Sequence, residues 1–277
     1  MTTSINQLFD KIHQVPQMPE VVRDIINQLN GANIDMLKVV KSVEKEPVIT
    51  LKVLRLVNSA HFGLSRKVNS IDEATLMIGL EQLKTLVIAS GLMGAIPTIA
   101  NFDIKQFWNN AFQTASYAKW FAERADLQPD VAYTIGLLAN LGNILIHLVT
   151  PKEGNEIDQH VKAGKYRPDF ERSRLGYTNQ QACAELCRRW KLGTELITAI
   201  EQSAEPLQAE TPDKLACCVF LAAYLSDSQQ RKKSEDEILE AFPFQISAQI
   251  GLDEDDIEEN LAEILSQTSN LAGLTDA

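Results

Sequence analysis

Three polar side chains stand at helical spacing in an otherwise apolar stretch. The run from Val131 to Pro151 is 21 residues without a charge, and Asn140, Asn143 and His147 recur in it at i, i+3 and i+7. The spacing predicts one buried helix, Val131 to Thr150, with a single polar stripe. Amides donate and accept, so the stripe suits a neutral polar ligand or a buried hydrogen-bond network. His147 is placed to bond Asn143 as a satisfied core histidine. Metal chemistry needs several imidazole or anionic ligands held together. The chain has only four histidines, His13, His61, His147 and His160, and none directly precedes an Asp. Cys183 and Cys187 share a helix face without a His nearby. The adjacent Cys217 and Cys218 cannot easily complete a tetrahedral site. All four read as small buried hydrophobes in a reducing compartment. No Gly-x-Ser-x-Gly elbow and no Gly-x-x-x-x-Gly-Lys phosphate loop occurs. The expectation is no catalytic residue, no metal site and no cofactor.

Within the same run, Gly136-Leu137-Leu138-Ala139-Asn140-Leu141-Gly142 resembles the Gly-Leu-Leu-His-Asp-x-Gly segment of the HD phosphohydrolase superfamily. There the adjacent His and Asp hold a divalent metal. Here Ala139 and Asn140 stand in their places: one has no donor, the other only a neutral carbonyl. The resemblance also places the family's first metal-binding His at Asn110. Its later His positions fall near Asn179-Gln180 and Ser203-Ala204, and Asp213 is a weak counterpart of its final Asp.

Pro47-Val48-Ile49-Thr50-Leu51-Lys52-Val53-Leu54-Arg55-Leu56-Val57-Asn58-Ser59-Ala60-His61-Phe62-Gly63 resembles the hallmark of the HDOD domain, the HD-related output domain of bacterial signalling proteins. Upstream Val15-Pro16-Gln17-Met18-Pro19 and downstream Ile71-Asp72-Glu73-Ala74-Thr75-Leu76-Met77-Ile78-Gly79 are similar to its other segments. Together they cover about His13 to Pro206. The resemblance implies an all-α, multi-helical HD-like architecture, with Asn110, Ala139, Asn140, Asn143 and His147 around a vestigial pocket. It also implies a signalling or scaffold role exercised by binding a protein partner. The alternatives are a metal-dependent phosphohydrolase with atypical ligands, or a sensor that takes a small molecule in that pocket.

Helix signals recur along the chain. Pro19 opens a helix with Val21, Val22, Ile25, Ile26 and Leu29 inward, closed by Asn30-Gly31; Asn33 caps the next, with Leu37, Val40 and Val43 inward. Pro47 opens a third, reaching Asn58, with Val48, Leu51, Leu54 and Val57 at core spacing. Asn58 and Ser59 are suited to bond local backbone and fix a helix–helix corner, and His61 and Gly63 to a turn. Ser70 and Glu73 form a capping-box pattern for a helix ending near Gly79. Further helices are expected at Glu81–Ile96, Ile104–Arg124, Asp169–Leu175, Asn179–Trp190, Thr194–Glu201, Asp213–Leu225, Glu235–Phe242 and Asp253–Leu271. Thr150–Arg167 and Ser226–Ser234 read as partly or wholly loop. The division expected is a helical lobe over 1–100, an HD-like lobe over 101–208 and a helical extension over 209–277.

Of the 277 residues 45% are hydrophobic, enough for a sizeable core, and the net charge of −11 opposes nucleic-acid binding. Arg188-Arg189-Trp190-Lys191 and Arg231-Lys232-Lys233 are too short to reverse that. The start of the chain has no basic region followed by an apolar core. The Asn-bearing run suits a protein interior better than lipid. A cytoplasmic protein is expected, with no membrane and no nucleic-acid partner.

Overall fold

A computed structural model describes residues 5–11, 16–28, 36–59, 62–64 and 66–267. The expectations for His13, Val15, the Leu29–Gly31 helix end, the Asn33 cap, His61 and the end at Leu271 lie outside them. Every regular element among the described residues is a helix, so the all-α expectation holds. The chain divides into two compact units. One contains Pro16–Thr98; the other contains Ile99–Thr268 together with helix α1 (Ile5–Lys11).

The Pro16–Thr98 unit holds α2 (Glu20–Gln28), α3 (Met36–Glu44), α4 (Pro47–Val57), α5 (Ile71–Ile78) and α6 (Leu80–Ala95). Helix α6 buries Leu83, Leu86, Val87, Ile88 and Leu92, and α2, α4 and α5 pack around it. Helix α3 packs on α2, α4 and α5. Pro47 occupies the first turn of α4, where its missing N–H costs nothing. The core stripe of α4 differs from the expected one: Ile49, Val53, Leu56 and Val57 are buried, whereas Val48 and Leu51 are exposed. Leu37 is likewise exposed. An apolar helix offers more than one stripe at helical spacing, and only packing selects between them.

Two family-motif residues set the corners of this unit. Asn58 Nδ2 donates to Leu54 O and Val68 O, and its Oδ1 accepts from Val68 N, each at 2.7 Å. That ties the end of α4 to the segment leading into α5. Ser59 behaves otherwise: its buried Oγ has no hydrogen-bond partner. Ser70 caps α5 by accepting from Glu73 N, while Glu73 reaches back to Asn69 N rather than to Ser70 N. Gly79 joins α5 to α6 at φ +83° and Gly63 sits at φ +55°, left-handed values that favour glycine.

The second unit continues with α7 (Ile104–Arg124), α8 (Pro129–Leu138), α9 (Leu141–Val149), α10 (Pro151–Lys162), α11 (Arg167–Leu175), α12 (Asn179–Arg189), α13 (Thr194–Gln202), α14 (Lys214–Gln230), α15 (Glu235–Glu240), α16 (Phe244–Ser247) and α17 (Glu254–Ser266). Helix α7 lies between α8 and α14 at the centre, α9 packs on α10 and α12, and α1 rests on α9 and α12. Asp103 caps α7 by accepting from Gln106 N. Thr178 and Gln181 make a reciprocal capping box at α12.

Two expectations are corrected here, and a third is narrowed. The apolar run is two helices, not one, broken at the Ala139–Asn140 turn. Pro129–Val149 is long and apolar enough to cross a membrane by length and composition, yet 78% of that window is buried inside the protein. The Thr150–Arg167 stretch is partly loop as expected, but only over residues 163–166; Pro151–Lys162 is helix α10, opened by Pro151. Ser226–Gln230 continues α14, with Ser226 and Ser228 buried.

Candidate functional site

The second unit encloses a cavity of about 400 Å³. Its wall gathers side chains from four separate stretches: Asn110 from α7, Asn140 and Asn143 from the α8–α9 turn and the start of α9, Asn179 and Gln180 from the start of α12, and Ser203 and Ala204 after α13. All were named from sequence as places where the metal-binding superfamily carries ligands or the stripe carries amides. Phe107, Tyr166, Tyr224, Arg167 and Arg231 complete much of the wall.

Other named residues do not join them. Ala139 is buried outside the lining. Asp213 serves as the N-cap of α14, accepting from Ala216 N at 2.9 Å. His147 does not bond Asn143. It is buried behind the cavity wall, its ring 4.6 Å from that of Phe102 and its Nε2 3.1 Å from Asp158 Oδ2. That nitrogen lies close to the carboxylate without a well-aligned hydrogen bond.

Local sequence explains how these groups come together. Gly142 sits against the backbone of Asn179, so that a Cβ there would overlap its carbonyl group. Only glycine lets α9 approach α12 this closely. Gly154 on α10 performs the same service for His147, whose Nδ1 would lie 2.9 Å from an added Cβ. Gly154 is thus a packing position on a helix, within a stretch that read as partly loop.

Behind the amides runs a chain of charged groups that the sequence reading missed. Arg167 pairs with Asp158 through Nη2 and with Glu171 through Nη1 at 3.1 Å, and also donates to Asn143 Oδ1 at 3.3 Å. The fully buried Glu171 accepts from Asn179 N at 2.7 Å and from Asn179 Nδ2 at 3.2 Å. The order is therefore His147, Asp158, Arg167, Glu171, Asn179. The i,i+4 spacing of Arg167 and Glu171 was a legible signal. Asp158 was hidden because its segment read as loop.

The electrostatics follow from burial and pairing. Burial pushes the Glu171 carboxyl above its ordinary range; Arg167 and Asn179 offset this only in part. Burial pushes Asp158 up as well, but the close approach of His147 and the charge and hydrogen bond of Arg167 outweigh it and hold it below the usual range. Burial opposes the charge of Arg167, yet Glu171 and Asp158 win and keep it a firm cation. The four cysteines are buried free thiols, Cys183 donating to Leu138 O at 3.0 Å, and burial pushes Cys217 up to about 11.

A divalent metal does not fit this lining. The wall offers neutral amides, hydroxyls and a single carboxylate, Asp227, which is paired with Arg231 at 2.7 Å, and the guanidinium of Arg167 already occupies the Asn143 carbonyl. Among the described residues, no group of three or more His, Cys, Asp or Glu is placed to hold a metal ion. Two acceptors do face unfilled demands: Asn179 Oδ1 and Gln180 Oε1 are buried without a hydrogen-bond partner. Asn179 is oriented by its own NH₂, which must face the Glu171 carboxylate.

Comparison with known proteins agrees with this architecture. The chain is 30% identical to a Shewanella amazonensis SB2B protein provisionally named a phosphohydrolase, whose crystal structure superposes with a TM-score of 0.77 over 97% of each chain. An HDOD domain protein of unknown function from Geobacter sulfurreducens superposes with a TM-score of 0.78 over 95% of each chain at 20% identity, a likeness of fold. An uncharacterized protein from Treponema pallidum (strain Nichols) is 28% identical over 196 residues, 69% of this chain; the match spans only 38% of that relative. The HDOD domain itself matches residues 15–206, with the motif around Asn58 and the Ala139-Asn140 turn both inside it, and the chain belongs to the HDOD domain family.

Proposed function

We propose that this chain is a non-catalytic signal-transduction module of the bacterial cytoplasm that works by binding a protein. The observation that carries the reading is the composition of the cavity wall. At the positions where an HD hydrolase would assemble imidazoles and carboxylates, this chain assembles Asn110, Asn140, Asn179, Gln180 and Ser203. The one carboxylate in the wall, Asp227, is paired with Arg231, and Asp158 and Glu171 behind it are committed to Arg167. Hydrolysis of a phosphoester needs an activated water and stabilisation of developing negative charge; amides held by a paired arginine supply no base.

The test is elemental analysis and phosphodiesterase assay of the purified protein with added divalent metals, side by side with Ala139→His combined with Asn140→Asp. The expected result is no stoichiometric metal and no metal-stimulated hydrolysis in either. About one metal per chain, lost on changing Asn140, would replace this reading with the phosphohydrolase one. So would hydrolysis by the double variant alone, because it would mean the remaining ligands are present. The orphaned acceptors Asn179 Oδ1 and Gln180 Oε1 favour one second reading, a sensor whose small ligand donates hydrogen bonds to both. It differs in its answer to Asn140→Leu, taken up in the Discussion.

A further inference from the structure

The described residues include seven large hydrophobic side chains that are substantially exposed, and five of them fall on three consecutive helices: Leu37 on α3, Val48 and Leu51 on α4, Leu76 and Met77 on α5. Those helices pack on one another in pairs. Val48 and Leu51 are 66% and 68% exposed and one turn apart, so α4 carries a second apolar stripe beside the buried one. Scattered exposed leucines need no account, but a cluster of this kind marks a contact surface.

Charge says what kind of partner fits. Residues 16–98 hold nine Lys and Arg against eight Asp and Glu, although the whole chain has 26 against 37. Over 36–57 the balance is five basic residues, Lys38, Lys41, Lys45, Lys52 and Arg55, against Glu44 and Glu46. An apolar stripe flanked by cations on an otherwise acidic protein complements an acidic, amphipathic partner. No strand edge exists among the described residues to pair with an extended peptide, which leaves docking of a helix by anchors at i, i+3 and i+7. The chain's own acidic helix, α17, does not qualify. Its Ile257, Leu261 and Ile264 are already buried in its own unit.

We infer that the α3–α5 face around Val48 and Leu51 docks an acidic amphipathic helix of another protein. This rests on the protein-binding reading above and names the surface and the partner's chemistry. The probe is a fluorescent helical peptide with Leu at i, i+3 and i+7 and Glu on its other faces, followed by anisotropy on the full chain. Saturable binding is expected. It should weaken about tenfold or more in Val48→Ser/Leu51→Ser, which removes only apolar area, and severalfold in Lys41→Gln/Lys52→Gln, with a loss that shrinks as salt rises. All four side chains are outside the core, and an unchanged melting temperature checks that the variants fold.

The inference falls if the peptide does not saturate, if Val48→Ser/Leu51→Ser binds it as well, or if a Lys-for-Glu peptide binds equally. It falls too if sedimentation shows a dimer that the apolar variant abolishes, which would make a second copy the occupant. Sedimentation of wild type, but not of that variant, with vesicles of anionic lipid would make the occupant a membrane. Failure here is separable from failure of the binding reading. A host partner retained equally by wild type and Val48→Ser/Leu51→Ser removes this surface and leaves the reading standing, whereas metal-dependent hydrolysis removes the reading without touching the peptide result.

Discussion

Two asparagines follow the ends of helices in this chain and do opposite things. Asn58, after α4, uses both ends of its amide on local backbone and is fully engaged. Asn140, after the Ala139 end of α8, makes no side-chain cap bond to α9 and lines a cavity. Both lie in family motifs. A motif residue is structural when the chain around it consumes its hydrogen-bonding capacity, and available when it does not. The same contrast separates the two units at larger scale. The Pro16–Thr98 unit has spent its polar motif residue on a corner and left apolar area outside. The later unit has turned amides inward and tied its charges into a chain from His147 to Asn179.

Glycines give the sharpest test of that contrast. In the later unit, Gly142→Ala forces a methyl into the Asn179 backbone, which cannot move aside as a side chain could. A loss of about 3 kcal/mol or more is expected, seen as a lower denaturant midpoint or a failure to accumulate folded protein. In the other unit, Gly94 lies within helix α6, and the nearest atom to an added Cβ is Lys52 Nζ at 3.6 Å. Gly94→Ala should instead stabilise by roughly 0.5–1 kcal/mol. Equal effects at the two sites would mean that the close approach of α9 to α12 is not what orders the cavity wall.

Next in size is Asn58→Ala. It strands Val68 N and Val68 O, both part-buried, while Leu54 O keeps its bond from the residue 58 N–H, and about 2 kcal/mol of stability should go with the loss. A change below about 0.5 kcal/mol in the same urea titration would place Asn58 with Asn140 as an available amide.

Long amphipathic helices with terminal signals were legible in the sequence. Helix α7 runs from Ile104 to Arg124 as read, because Asp103 caps it and its apolar period is sustained. What was not legible depended on contacts distant in sequence. Nothing local in Leu138-Ala139-Asn140-Leu141 announces a break; Gly142 reveals its reason only against Asn179. Thr150–Arg167 read as partly loop, since neither the helix-opening role of Pro151 nor the packing of Gly154 on a histidine ring shows in one dimension. The α4 stripe was misread for a related reason. Val48 and Leu51 are as apolar as Ile49 and Val53, and only the position of α6 decides between them. In the site, Asn143 was found by helical spacing, Asn140 by spacing and resemblance together and the other amide positions by resemblance, whereas the Asp158–Arg167–Glu171 chain was not found at all.

The acid limb of stability should report that chain. Asp158 is held below its ordinary range in the fold, so its contribution is present above the unfolded carboxylate pKa, about 3.9, and is lost as pH falls through the lower folded value. Glu171 is raised, so its ionisation opposes folding: that cost appears as pH rises from the unfolded value through the folded one. The two act in opposite directions across mildly to strongly acid pH. Asp158→Asn should flatten the loss of stability with acid, and Glu171→Gln should steepen it, measured as denaturant midpoints between about pH 3 and 6. Identical slopes in both variants would dissolve the distinction between the two ends of the Arg167 pairing.

The smallest expected effect belongs to Asn140→Leu, and it is the one that separates a relic cavity from a working one. The substitution removes an amide from the wall at similar volume. Because Asn140 makes no cap bond, stability should stay within about 1 kcal/mol of wild type. Partner binding should survive as well, since the α3–α5 face lies on other helices. Asn58 provides the comparison: its loss should lower stability and binding together, through the fold. Should Asn140→Leu keep the melting temperature and the in vivo interaction but abolish the signalling phenotype, stability and function would be uncoupled at this residue alone. The unpartnered oxygens of Asn179 and Gln180 would then be half of a ligand site whose other half is a hydrogen-bond donor, and the sensor reading would displace the purely structural one. A silent Asn140→Leu leaves the amides as the lining of a cavity that the chain has kept for packing.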